Sequence, residues 1–118
     1  MSTTFDIGEV EHELAALASH PNLKHIALVV PLAPGMREMA RAAVAEGPPF
    51  DPRDVGIVFH HVLLTDHEAI FVFGLDDGVA SLERILASDD FWVTVGWWET
   101  VASGRPQLAE MAYEWHAG

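Results

Sequence analysis

Residues 59–78 read FHHVLLTDHEAIFVFGLDDG: two runs of β-branched, aromatic and aliphatic residues around a short polar stretch. That is the pattern of a β-hairpin turning at Asp66 and His67. Side chains alternate across a strand, so His61, Leu63, Ile70 and Val72 are predicted to share one face, and His60, Val62, Leu64, Ala69, Phe71 and Phe73 the other. An antiparallel sheet with one wetted face alternates apolar with polar residues. Here both faces are apolar, and the run His25–Val30, HIALVV, has the same character.

Working outward, Ile7, Val10, Leu14 and Leu17 recur at helical spacing over residues 5–18 among Glu9, Glu11 and Glu13, and His20-Pro21 closes that segment. LKHIALVVPL (23–32) predicts a strand, and PGMREMARAAVAEG (34–47) a helix with Met36, Met39, Ala40, Ala43 and Val44 on one stripe and Gly47 as its C-cap. PPFDPRDVG (48–56), with three prolines, is an irregular loop. After the hairpin, Asp76 or Asp77 caps a short helix carrying Val79, Leu82, Ile85 and Leu86. Ser88-Asp89-Asp90 then caps FWVTVGWWETVASG (91–104), whose inward stripe is Phe91, Val95, Trp98 and Ala102. Alternation in PQLAEMAYEW (106–115) predicts the last strand.

The order helix, β, α, β, β, α, α, β is the split βαβ plan of a ferredoxin-like α+β domain: an antiparallel four-stranded sheet with its helices on one face, plus an N-terminal helix. A chain of 118 residues has the size of one such domain, with residues 1–20 as a peripheral helix and 23–116 as the core. Helices of one chain cover one sheet face. The other apolar face is expected to be covered by a second copy of the same sheet, giving a homodimer built as a dimeric α/β barrel.

Composition bounds the partners. With 6 Lys+Arg against 18 Asp+Glu the net charge is −12, and protonating all seven histidines would leave the chain acidic, so neither nucleic acid nor an anionic membrane surface is an expected partner. Pro31 and Pro34 interrupt the longest apolar run, the N-terminus has neither basic residues nor an apolar stretch of the secretory kind, and cysteine is absent. A cytoplasmic protein without disulfides or thiol chemistry is the expectation.

LKHIALVVPLAPG (23–35) leading into a helix resembles the opening of the stress-responsive dimeric α/β barrel proteins, and the Trp- and Phe-containing helix before the last strand is similar to that of the related antibiotic-biosynthesis monooxygenases. The resemblance covers roughly residues 23–115. It implies two ferredoxin-like sheets paired into a barrel, with a small-molecule pocket in each subunit between sheet and helices. Two departures limit what carries over. The cofactor-free monooxygenases of this group use asparagine, arginine and tryptophan together, whereas the only asparagine here is Asn22, ahead of the first strand. Their haem-degrading relatives hold iron through a histidine on the helix before the last strand, and residues 89–104 contain none. No haem, other cofactor or metal is expected.

Other motifs do not carry chemistry. HELAA (12–16) has Ala16 where a zincin needs its second histidine, and DDGVASLER (76–84) lacks the ligand spacing of a calcium loop. His60 and His61 are the strongest polar signal, because they point to opposite faces of an otherwise apolar strand. They cannot grip one metal together. One of the two is expected to face the intrasubunit pocket as a proton acceptor or donor while the other lies between the sheets, and the competing reading is a structural, hydrogen-bonded pair. His25 carries the same ambiguity. Trp98 shares the inward helix stripe with Phe91 and is expected to wall the pocket, and Tyr113 on the last strand offers a phenol within reach. The stretches 59–73 and 91–102 contain no arginine to clamp a phosphate or carboxylate, so the expected ligand is small and mostly apolar. The alternatives are a cofactor-independent small-molecule enzyme, monooxygenase- or isomerase-like, and a non-catalytic interaction module using the N-terminal helix.

Overall fold

The computed structural model describes residues 6–20, 22–48, 50–115 and 117. Phe5, where the predicted first helix begins, and Pro21, expected to close it, lie outside these residues, as do Pro49 and His116. The elements are α1 (Ile7–Ala16), β1 (His25–Pro31), α2 (Arg37–Glu46), β2 (Ile57–Leu64), β3 (Glu68–Leu75), α3 (Gly78–Leu86), α4 (Asp89–Trp97) and β4 (Gln107–Ala109). The architecture is α+β. The four strands form one open sheet in the order β2-β3-β1-β4, antiparallel at each pairing. β1 and β2 are therefore joined through α2 without being neighbours, and β3 and β4 likewise through α3 and α4.

The hairpin turns at Asp66 and His67, where the sequence places it. The Thr65 N–H donates to the Glu68 carbonyl (2.9 Å) and the His67 N–H to Thr65 Oγ1 (3.1 Å). Register sets His60 opposite Phe73, Val62 opposite Phe71 and Leu64 opposite Ala69, so the two predicted faces are the observed ones. Ile26, Leu28 and Val30 of β1 join Ala69, Phe71 and Phe73 on one face, and all six are buried. That face meets Val10 and Leu14 of α1, Ala40 of α2, Leu82 and Ile85 of α3, and Phe91 and Val95 of α4 in a single core. On the opposite face Ala27, Val29, Ile70 and Val72 are only half-buried, and Leu63 is 52% exposed.

β2 departs from strict alternation at one point. Ile57 pairs with Leu75 but Phe59 pairs with Gly74, which leaves Val58 as a bulge. Ile57 thereby stays in the core while Phe59 takes the open face, its ring lying against the bare Cα of Gly74, where a side chain would overlap it. A second glycine is required at Gly56, which ends a 3-10 turn at Pro52–Val55 with φ +76 and accepts a hydrogen bond from the Asp76 N–H (2.9 Å).

The end of the chain differs from its sequence pattern. α4 stops at Trp97 and passes into a 3-10 turn at Trp98–Thr100, so Phe91, Val95 and Trp98 face inward while Ala102 lies outside the helix. Backbone pairing explains this. The Ala33 N–H donates to the Val101 carbonyl (2.8 Å) and the Ser103 N–H to the Pro31 carbonyl (2.9 Å), which draws residues 101–103 to the end of β1. The last strand is three residues rather than ten: its pairing with β1 covers Val29–Gln107 to Ala27–Ala109, and residues 110–115 lie outside any strand. Capping is also uneven: Ser88 Oγ accepts from the Phe91 N–H (3.2 Å), whereas Asp77 occupies the N-cap position of α3 without a side-chain bond. Among the described residues no helix is long and apolar enough to cross a membrane.

Candidate functional site

His60 enters from the middle of β2 on the helix-covered face. Its ring lies flat against Phe73 (centroids 4.4 Å apart, planes at 3°) and parallel to Phe71 at 6.3 Å. Nδ1 is 3.2 Å from the Val72 carbonyl oxygen. A carbonyl only accepts, so this bond places the ring proton on Nδ1 and leaves Nε2 as an acceptor in the neutral form. Burial among the phenyl rings pushes the His60 pKa down, and repulsion from neighbouring His61 adds to this, while the Val72 bond acts the other way; the net shift is downward. His60 is thus held as a neutral base.

Across from it, the 3-10 turn after α4 delivers Trp98, which is 7% exposed and meets Phe71 edge to face at 4.7 Å. Phe91, one α4 stripe further back, meets Phe73 at 6.2 Å. Between these rings and Leu28 and Val30 of β1 is a small apolar cavity of about 60 Å³. His60, Phe71, Thr94, Trp98 and Pro48 also border a larger groove of about 730 Å³ between α2 and α4, lined further by Met39, Val44, Val62, Val93 and Trp97. The two spaces adjoin. Thr94 Oγ1 donates to the Asp90 carbonyl (2.9 Å), so its hydroxyl is already committed as a donor. The arrangement can hold a flat or aliphatic body between aromatic walls and accept one hydrogen bond or proton at His60.

The other predicted residues lie elsewhere. His61 and His25 are on the open sheet face, with Phe59 between them at ring distances of 5.0 and 5.6 Å. His25 Nε2 is 3.4 Å from Glu114 Oε2. Tyr113 lies beyond the end of β4 and is 77% exposed. The structure therefore brings His60 and Trp98 together, and places His25, His61 and Tyr113 apart from them.

Thr94 could have been read from the sequence, since it falls three residues after Phe91 on the same stripe. Phe50 and Pro48, which also line the small cavity, come from the proline-rich loop, where no periodicity marks them. A further concavity of about 750 Å³ lies at the far end of the sheet, lined by His25, Phe59, Asp76, Asp77 and Glu114 among others. It is broad and open, and its carboxylates are surface groups. Among the described residues no cluster of three or more His, Asp or Glu side chains is placed to hold a metal ion. No family model matches the chain, and neither the curated proteins nor the solved structures contain a significant match.

Proposed function

We propose that this chain is a ferredoxin-like subunit that pairs with a second copy through its open sheet face and binds a small, mostly apolar molecule between sheet and helices, beside His60 and Trp98. The observation that carries the binding reading is the convergence of these two side chains, from distant parts of the sequence, on one apolar cavity that adjoins a groove. The strand order β2-β3-β1-β4 with two crossovers supports the ferredoxin-like assignment and agrees with the resemblance to dimeric α/β barrel proteins. The dimer reading rests on the open face. Ala27, Val29, Leu63, Ile70 and Val72 form an apolar surface at the middle of that face, with the carboxylates of Glu68 and Glu114 toward its two ends.

Two measurements test these readings separately. Light scattering at micromolar concentration should give twice the monomer mass, and Leu63→Lys should return the monomer mass with far-UV circular dichroism unchanged; a monomeric parent protein would refute the pairing. Calorimetric titration with apolar aromatic and aliphatic compounds tests the pocket, and a panel that yields no saturable binding would refute it. A second reading, cofactor-independent proton-transfer catalysis, is favoured by one observation, the neutral His60 with Nε2 left as an acceptor. Its signature would be turnover that falls as His60 protonates and is lost in His60→Gln.

A further inference from the structure

The structure places two of the chain's six Lys+Arg side chains beside the apolar groove, where the stretches forming its aromatic wall supply none. Arg37 and Arg41, one turn apart on α2, line a depression of about 410 Å³ with Val44, Ala45, Val62 and Leu64. Val44 and Val62 also border the groove that reaches His60 and Trp98, so the two spaces meet along these valines. Arg41 is exposed and, among the described residues, has a long contact to Glu38 (3.7 Å). Arg37 Nη1 donates to Asp66 Oδ1 (2.7 Å), but its Nε–H is buried and has no hydrogen-bond partner among the described residues. That atom is closed to solvent, so the exposed guanidinium of Arg41 is the donor open to a ligand, and a carboxylate is the group it binds best.

We infer that the α2–β2 depression is the head-group site of an amphipathic monocarboxylate, with the carboxylate held by Arg37 and Arg41 and the apolar tail running over Val44 and Val62 into the groove beside Trp98. This rests on the proposed pocket and extends it by naming the class of ligand. The opposite orientation is disfavoured. The groove's lining carries Glu46 and no Lys or Arg, and its Thr94 hydroxyl already donates to Asp90, so it lacks a cation to hold an anion. The other three arginines are engaged elsewhere: Arg53 with Asp51 (2.9 Å), Arg84 with the Asp54 carbonyl (2.9 Å) and Arg105 with Glu9 (2.6 Å).

The test compares decanoate with decanol, which share a tail and differ in the head, by calorimetry on the full chain at neutral pH and below the concentration at which decanoate aggregates. Decanoate is expected to bind about tenfold tighter than decanol despite the protein's net negative charge, because a charge-assisted bond to arginine is added to the same apolar transfer. Arg41→Gln, a change at an exposed position, should remove most of that advantage and leave decanol affinity unchanged. Arg37→Lys keeps a cation beside Asp66 while removing the planar guanidinium, and should also weaken decanoate selectively. Equal affinities for the two probes, or a decanoate affinity that ignores Arg41→Gln, would overturn the head-group site and leave the apolar pocket standing. If neither probe binds up to its solubility limit, both this inference and the pocket fail.

Discussion

Trp98→Ala removes the side chain that seals the small cavity from the helix side, and its cost can be worked from the contacts. Trp98 is 7% exposed, so nearly all of its apolar surface leaves water on folding, and it makes edge-to-face contacts with Phe71 at 4.7 Å and with Trp97 at 5.2 Å. Truncating a buried tryptophan costs about 3–5 kcal/mol, a range that includes the void left behind. For a chain of 118 residues the unfolding entropy is about 0.25 kcal/mol/K, so a mid-range loss of about 4 kcal/mol lowers Tm by about 16 °C. Far-UV circular dichroism is the suitable assay, since tryptophan fluorescence changes with the substitution itself. The space vacated joins an existing cavity of about 60 Å³ lined by Leu28, Val30, Phe71 and Phe73, and is apolar enough to accept free indole. Indole at about 100 times its Kd for the variant should restore about 2.7 kcal/mol to the variant, clearly more than it adds to the parent protein. A Tm loss below about 5 °C, or equal response of both proteins to indole, would show that Trp98 does not close this space.

Gly56→Ala forces an L side chain to φ +76 and drives its Cβ onto Ser81 Oγ and to 2.9 Å from Asp76 Oδ1. Backbone strain of about 1–2 kcal/mol and overpacking of about 1–3 kcal/mol against a fully buried serine should lower Tm by at least about 8 °C in a thermal melt. Ser88→Ala deletes the N-cap bond to the Phe91 N–H and should cost about 1 kcal/mol, read as a lower urea midpoint with an unchanged m-value. For His60, a folded-state pKa below the ordinary 6.5 means that the unfolded chain binds more protons in the window between the two values. Stability therefore falls as pH drops from 6.5 toward the lowered value and levels off beneath it; urea denaturation at pH 7.5 and 5.5 should show a larger acid loss in the parent protein than in His60→Gln, and equal losses would contradict the burial argument.

The sheet's two faces were legible because strand periodicity and a single short turn together fix every side chain from His60 to Phe73. Nothing in the sequence marked the bulge, since Ile57, Val58 and Phe59 are all apolar and carry no signal of which face each takes. The end of α4 was hidden for a different reason. Ala102 continues the helical stripe four residues after Trp98, and what removes it from the helix is pairing with β1, more than sixty residues away in sequence. The candidate site divides the same way. His60 and Trp98 followed from strand phase and helix phase, both local. The alternation around Tyr113 finds no partner strand among the described residues, and the nearness of Arg37 and Arg41 to the groove depends on how α2 lies against β2, a tertiary relation that no local pattern carries.

The bulge at Val58 also makes β2 uneven in its tolerance of insertions and deletions. Removing Val58, which is 62% exposed, leaves Ile57 facing the core, Phe59 the open side and His60 the core, an uninterrupted alternation in which no other side chain changes face. Removing a residue from His60 to Leu63 can also be absorbed by collapse of the bulge, but the residues between Val58 and the deletion then change face, and Phe59 is carried to the core side. A library of single-codon deletions across residues 57–64 should therefore tolerate loss of Val58 best and losses at 60–63 worst. The strand carries its own spare residue, placed where the reading frame of its two faces can absorb the loss.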